Sequence, residues 1–244
     1  MMGLPEVEAV GAGPCLVKIC GVTEPQHARA AAALGADFVG VVFAPSRRQV
    51  TLGQAQKIAI ALGKLDRPPE PLSAPVSTVD IERLLARSRP LLVGVFADQD
   101  SDTINAIADQ CRLDIVQLSG SEPWQVCFQV RRPVFKCLKV RPGQTADEVL
   151  AGIGQGAVPL LDPYVPGAYG GTGQMLDWTV AAAVAREVPI ILAGGLTPDN
   201  VAEAVRKVRP WAVDVSSGVE TEGVKDLDKV RAFILAAKAA LTTP

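Results

Sequence analysis

The stretch PIILAGGLTPDNVAEAVRKVRPWAVDVSSGVE, residues 189–220, decides the fold. It opens on an apolar strand candidate, PIILA (189–193), and closes on a second, AVDVS (212–216), with an amphipathic segment between them. Strands that are apolar almost throughout are buried on both faces, and a helix between two of them makes a parallel crossover. Working outward, the same unit recurs along the chain. Upstream lie LVKIC (16–20), FVGVVF (38–43), LLVGVF (91–96), DIVQL (114–118), VFKCLKV (134–140) and VPLLD (158–162). Eight such units in 244 residues fit a closed, single-domain (β/α)8 barrel better than an open doubly wound sheet. Right-handed crossovers follow.

Helix starts are marked by side chains suited to capping. Thr23-Glu24-Pro25-Gln26 sets a hydroxyl before a helix, with Gln26 placed to close a capping box. Thr197-Pro198-Asp199 repeats the logic, with proline at the first helical position and an acid in the first turn. In the last helix Leu227, Val230, Phe233, Ile234 and Ala237 form a core-facing stripe. Asp177-Trp178 reads as a helix start that packs. One region breaks the rhythm: residues 64–90 begin with prolines, which exclude regular helix and interior strand. Thr78 to Arg87 reads as a short helix capped by Ser77 or Thr78, and the segment reads as an insertion after the second helix, at the barrel's N-terminal face, in preference to a domain boundary.

Composition excludes several classes of function. Twenty-four basic against 26 acidic residues give a net charge of −2, no broad footprint for nucleic acid or an anionic membrane. The cysteines (Cys15, Cys20, Cys111, Cys127, Cys137) number five and make no CxxC pair, against both a disulfide framework and a zinc ribbon. His27 is the single histidine, on a helix and read as solvated, so no imidazole-rich metal site is expected. Residues 1–14, with Glu6, Glu8 and no basic residue, read as a flexible extension rather than a secretory leader. No apolar run approaches the roughly 18 residues a membrane span needs. The expectation is a cytoplasmic enzyme without membrane or nucleic-acid partners, with monomer and homodimer both open.

In such a barrel the reactive groups gather where strands end at the C-terminal face. Cys20 ends the first strand and Asp162 the sixth; Arg47 or Arg48 follows the second, and Ser119 the fourth. A thiol and a carboxylate facing each other form an acid/base pair if positive charge favours the thiolate and burial keeps the acid protonated. Asp214, inside the eighth strand, is costly unless paired or functional and is a substrate-contact candidate. Cys15, Cys111, Cys127 and Cys137 read as small buried hydrophobes. Trp124 and Trp211 receive no role. Glycine-rich strand ends supply a second constellation: GGTG (170–173), Gly194-Gly195, and Ser216-Ser217-Gly218. Glycine lets backbone N–H groups approach an anion, and the loops after strands seven and eight are the usual phosphate site of these barrels.

Taken in order, VKICGVTEP (17–25), DFVGVVFAPSRRQV (37–50), VGVF (93–96), LDIVQLSG (113–120), LLDPYVPGAYGGTG (160–173), ILAGGLTPDNV (191–201) and VDVSSGVETEGVKD (213–226) resemble the phosphoribosylanthranilate isomerase family of tryptophan biosynthesis. The resemblance runs from Val17 to the last helix. It implies a (β/α)8 barrel with no cofactor and no metal that converts an N-(5-phosphoribosyl)anthranilate aminoaldose to an aminoketose by Amadori rearrangement of a phosphosugar. Carried over by position, Cys20 matches the general base at sugar C2 and Asp162 the general acid at the ring oxygen. Arg48 matches the substrate arginine, in Ser46-Arg47-Arg48-Gln49-Val50 against the family's S-P-R-Y-V, and Gln117 and Asp214 join it as substrate contacts. Gly194, Gly195, Ser216, Ser217 and Gly218 match the phosphate site. Three departures stand out. Ser119 replaces the histidine of QLHG, Gln174-Met175-Leu176 replaces Lys-x-Phe after GGTG, and the 64–90 insertion has no counterpart in the common pattern. Two other readings compete: a related phosphosugar aminoaldose isomerase, whose chemistry is usually carried by paired aspartates, and a phosphate-binding barrel without turnover.

Overall fold

The computed structural model describes residues 15–65, 77–165 and 175–241. The extension at 1–14, the proline-rich residues 66–76, the GGTG loop and Gln174 lie outside the described residues. Eight parallel strands close into a barrel in sequence order: β1 (Leu16–Ile19), β2 (Phe38–Val42), β3 (Leu91–Phe96), β4 (Ile115–Leu118), β5 (Val134–Val140), β6 (Val158–Pro163), β7 (Ile191–Leu192) and β8 (Ala212–Val215). The helices are α1 (Pro25–Ala33), α2 (Leu52–Ala61), α3 (Thr78–Arg87), α4 (Ser101–Gln110), α5 (Ala146–Ala151), α6 (Trp178–Glu187), α7 (Val201–Val208) and α8 (Leu227–Ala239). A hairpin of β9 (Glu220–Thr221) and β10 (Val224–Lys225) follows β8. Among the described residues no helix is long and apolar enough to cross a membrane.

Strand alternation sorts side chains into two cores. Val17, Ile19, Val39, Val41, Val116 and Leu192 point outward and pack against the helices. Phe38, Leu91, Ile115, Phe135, Leu160 and Ile191 fill the barrel from inside. Phe38 meets Phe135 edge-on, ring centroids 5.4 Å apart, and Trp211 closes the same layer at 5.8 and 6.1 Å from the two rings. Two carboxylates, Asp37 buried and Asp114 partly buried, tie strands together at the N-terminal end. Asp37 accepts from Val17 N at 2.8 Å and Asp114 from Leu92 N at 2.7 Å, each bonding the strand that precedes the one it leads into.

Helix α3 closes the barrel floor. Ser77 caps it in a capping box with Asp80, and its apolar face, Ile81 and Leu85, packs among the interior residues. Glu82 accepts from Trp211 Nε1 at 2.7 Å, which joins the helix to the start of β8. Trp211, without a role in the sequence reading, is thus part of this seal. Lys64 anchors the other end of the segment, 2.9 Å from Asp114 and 2.8 Å from Ser88 Oγ.

Four sequence expectations are corrected. Thr23 does not cap α1: Pro25 takes the first helical position, so the cap falls on Glu24, whose side chain makes no capping bond. Thr197-Pro198-Asp199 forms a turn ahead of α7 rather than its first turn. The Thr197 carbonyl accepts from Val201 N, and Asn200 becomes the cap residue. Leu227, at the rim, is exposed, so the α8 stripe begins at Val230. The β4–β5 connection carries only a 3-10 turn, Trp124–Phe128, where an amphipathic helix is expected; Asn105 of α4 takes the Gln129 carbonyl and the Arg131 N–H, which a longer helix would use for itself. By contrast Asp177 does cap α6, accepting from Thr179 N, and Trp178 is buried there.

Because Ile81 is fully buried in the floor while Val79 on the same helix is 49% exposed, their truncations separate. Ile81→Ala is expected to cost about 2–4 kcal/mol in urea unfolding and Val79→Ala within about 0.5 kcal/mol. Equal midpoints for the two variants would contradict the floor assignment.

Candidate active site

The C-terminal mouth of the barrel holds a cavity of about 670 Å³. Cys20, Arg48, Gln117, Asp162, Gly194, Gly195, Asp214, Ser216, Ser217 and Gly218 all line it, as do Arg47, Ser119 and Cys137. The strand periodicity is the reason. Lys18 and Cys20, Gln117 and Ser119, Cys137 and Lys139, Leu160 and Asp162, and Asp214 and Ser216 are spaced by two and share the inner face. Cys137 therefore differs from Cys15, Cys111 and Cys127: it is buried, as expected, but in the cavity wall. Burial pushes its thiol up to about 12.

Around Cys20 the wall is cationic. Lys18 Nζ, with no solvent exposure, lies 3.0 Å from Asp214 Oδ1, its cross-strand partner in the β1–β8 ladder. Burial works against that ammonium, but Asp214 and Cys20 outweigh it and hold its pKa above the usual lysine value. Burial pushes the Cys20 thiol up as well, while Lys18 pulls it back, Asp214 adds to the rise and Lys225 opposes it. Gly40 on β2 makes the room for this pair, since a Cβ there would sit 2.9 Å from Cys20 Sγ and 3.1 Å from Lys18 Nζ.

Three strands round the barrel, at the end of β6, Asp162 is buried, and its Oδ2 accepts from Lys139 Nζ at 2.5 Å. Burial raises its carboxyl above the ordinary range, and Lys139 opposes that rise without cancelling it. Gln117 Nε2 donates to Ser119 Oγ at 3.0 Å. Ser119 thus keeps a hydrogen bond within the wall, at the position where the resemblance expects histidine.

The loops after β7 and β8 come together closely. Gly194 and Gly195 have φ of +90° and +63°, and a Cβ on Gly218 would collide with the Leu196 carbonyl. Asn200 holds the first loop, donating to Gly195 O at 3.0 Å and accepting from Thr197 N at 2.8 Å. Over the rim, Arg48 makes a forked pair with Glu220 at 2.7 and 2.8 Å. Glu220 also accepts from Arg47 at 2.8 Å and from Lys225 at 2.7 Å, and Lys225 reaches Ser216 O at 2.9 Å. Lys18, Lys139, Glu220 and Lys225 were not singled out from sequence. Alternation places both strand lysines inward, but nothing in the chain marks Glu220 as the partner of Arg48 and Lys225.

The fold and this mouth define a single-domain (β/α)8-barrel enzyme whose polar groups converge at the C-terminal ends of the strands. Residues 69–236 match the family model described as N-(5'phosphoribosyl)anthranilate (PRA) isomerase. The chain is 43% identical over 230 residues to the N-(5'-phosphoribosyl)anthranilate isomerase of Dehalococcoides mccartyi, covering 91% of this chain and 95% of that one. It is 47% identical over 227 residues to the Roseiflexus sp. enzyme of the same name, covering 92% and 98%. Among solved structures, phosphoribosyl anthranilate isomerase from Thermotoga maritima superposes with a TM-score of 0.73 at 32% identity, covering 92% of this chain and 99% of that one. Another, in complex with reduced 1-(o-carboxyphenylamino)-1-deoxyribulose 5-phosphate, gives a TM-score of 0.71 at 31% identity. The chain belongs to the N-(5'-phosphoribosyl)anthranilate isomerase family. Its activity is the isomerisation of phosphoribosylanthranilate in tryptophan biosynthesis.

The Glu220 cluster carries a pH signature. Burial alone would raise its carboxyl, but the hydrogen bonds from Arg48 and Lys225 win and hold it below the usual glutamate value. A depressed folded pKa contributes stability that is present above the unfolded value of about 4.3 and lost as pH falls through the folded one. The stability difference between wild type and Glu220→Gln, read by urea unfolding, is therefore expected to be constant above about pH 5.5 and to shrink below about pH 4. A difference independent of pH from 3 to 7 would contradict it.

Proposed function

We propose that Cys20 and Asp162 are the general base and general acid of an Amadori rearrangement on N-(5-phosphoribosyl)anthranilate. The observation that carries this reading is their placement on facing walls of one cavity, each buried and each beside its own lysine. Asp162, whose protonated form burial favours, gives its proton to the ribose ring oxygen. The C1–O bond breaks and the anilino nitrogen lone pair closes a C1=N Schiff base. That cationic imine acidifies the C2–H bond, and Cys20 takes the proton as a thiolate, which burial opposes and Lys18 and Lys225 assist. The electron pair moves into C1=C2, and tautomerisation of the enolamine places a proton on C1 and a carbonyl at C2. The electrons needed all belong to the substrate, so the isomerisation is internally balanced.

The remaining cavity residues divide by chemistry. Backbone N–H groups at Gly194, Gly195 and Ser216 to Gly218 suit a phosphate, because the glycines leave nothing between the backbone and an anion. Arg48 spends one edge of its guanidinium on Glu220 and keeps donors on another for an anionic substrate group. Gln117 and Asp214 complete the substrate contacts. The reaction is placed in the cytoplasm, and the chain acts as a monomer or a homodimer; a Thermotoga maritima relative is known both as a dimer and as generated monomers.

The test is loss of fluorescence of freshly generated phosphoribosylanthranilate. Wild type is expected to turn it over, and Asp162→Asn and Cys20→Ser to lose about 100-fold or more in kcat, with KM changed only a few-fold. Wild-type rates in either variant would remove that residue from the mechanism. A folded wild type that binds the reduced product analogue without turning substrate over would support the non-catalytic reading, with Ser119→His the first change to make.

A further inference from the structure

We propose that Lys139 is the positioning residue of the acid step: it fixes the orientation of the Asp162 carboxyl group and neutralises the carboxylate left behind when the proton departs. The inference rests on the reading of Asp162 as general acid. Lys139 stands opposite Asp162 in the β5–β6 register, and its Nζ bonds Oδ2 at 2.5 Å, which restricts rotation of the carboxyl group. With Oδ2 held at the wall, the other carboxyl oxygen is left to face the substrate.

The charge balance gives this contact its purpose. In its acid form Asp162 needs no counterion, and a buried ion pair is a poor source of stability compared with the apolar residues that fill the rest of the barrel. Once the proton has moved to the ring oxygen, however, a carboxylate remains in a wall where its side chain is only 11% exposed. Without a fixed cation that charge opposes proton transfer. The other groups felt at this position do not supply one. Lys18 is committed to Asp214 at 3.0 Å, Asp214 is itself negative, and Cys137, beside Lys139 on β5, is held neutral by burial. On the other flank of β6, Ile191 of β7 and Ala193 just after it face the interior.

Lys139→Met, Lys139→Gln and Lys139→Arg are compared with Asp162→Asn in kcat, KM and the pH profile of kcat/KM. The uncharged variants are expected to lose about 10-fold or more in kcat with KM within about threefold. Removing the cation leaves Asp162 protonated to higher pH, so the alkaline limb of the profile moves upward by at least about half a unit. Lys139→Arg is expected to restore most of the rate and return the limb to its wild-type position. A folded uncharged variant with wild-type kcat and an unmoved limb overturns the proposal, as does failure of both uncharged variants to fold, which makes the role structural. Asp162→Asn distinguishes the two levels. If it retains turnover, the acid assignment falls; if it is inactive while the lysine variants behave as wild type, only Lys139 falls.

Discussion

A lysine ammonium buried without solvent contact is the constraint around which this barrel mouth is organised. Lys18 is tolerated because parallel pairing sets Asp214 directly opposite it, and the same arrangement recurs across the barrel with Lys139 and Asp162. In a closed sheet every inward side chain has neighbours fixed by register, so a one-residue slip would turn both pairs outward and leave apolar side chains in their place. The thiol proposed as base and the carboxyl proposed as acid each stand beside one of these lysines. Stability and chemistry therefore depend on a single structural fact, the register of the ladder.

Below that polar layer the interior is apolar and closed. Phe38, Phe135 and Trp211 stack above Ile81 and Leu85 of α3, so the cavity opens at the C-terminal end of the strands and a packed layer lies beneath it. At the rim the order is different, since it is imposed by loops. Asn200 clamps the Gly195 carbonyl, and Glu220 gathers Arg47, Arg48 and Lys225 onto one carboxylate. Close contact of the β7 and β8 loops needs glycine at 218, where a Cβ would collide with the Leu196 carbonyl. Rigid strands position the proposed acid/base pair, and braced loops shape the part of the cavity proposed to hold the phosphate.

Much of this was legible in the chain because strand position and strand direction follow from local patterning. The eight strands fall within a few residues of their expected bounds, and the proposed site residues sit at strand ends because barrels put them there. What escaped depends on partners distant in sequence. Lys18 and Asp214 are separated by 196 positions and Arg48 and Glu220 by 172, and no local signal ties them. Cys137 reads as an ordinary core residue until β5 is placed in the barrel wall. The misread helix starts have a nearer cause. A capping hydroxyl followed by proline fits both a first helical turn and a turn that precedes the helix, and only the hydrogen bonds of Glu24 and Asn200 distinguish them.

Isomerisation between the β1 and β6 walls of this cavity can be checked by a crystal structure with the reduced product analogue bound. The analogue's C2 is expected within about 3.5 Å of Cys20 Sγ, its C4 hydroxyl against Asp162, and its phosphate on the backbone of residues 194–195 and 216–218. An analogue bound with its phosphate elsewhere, or with C2 facing away from Cys20, would contradict it.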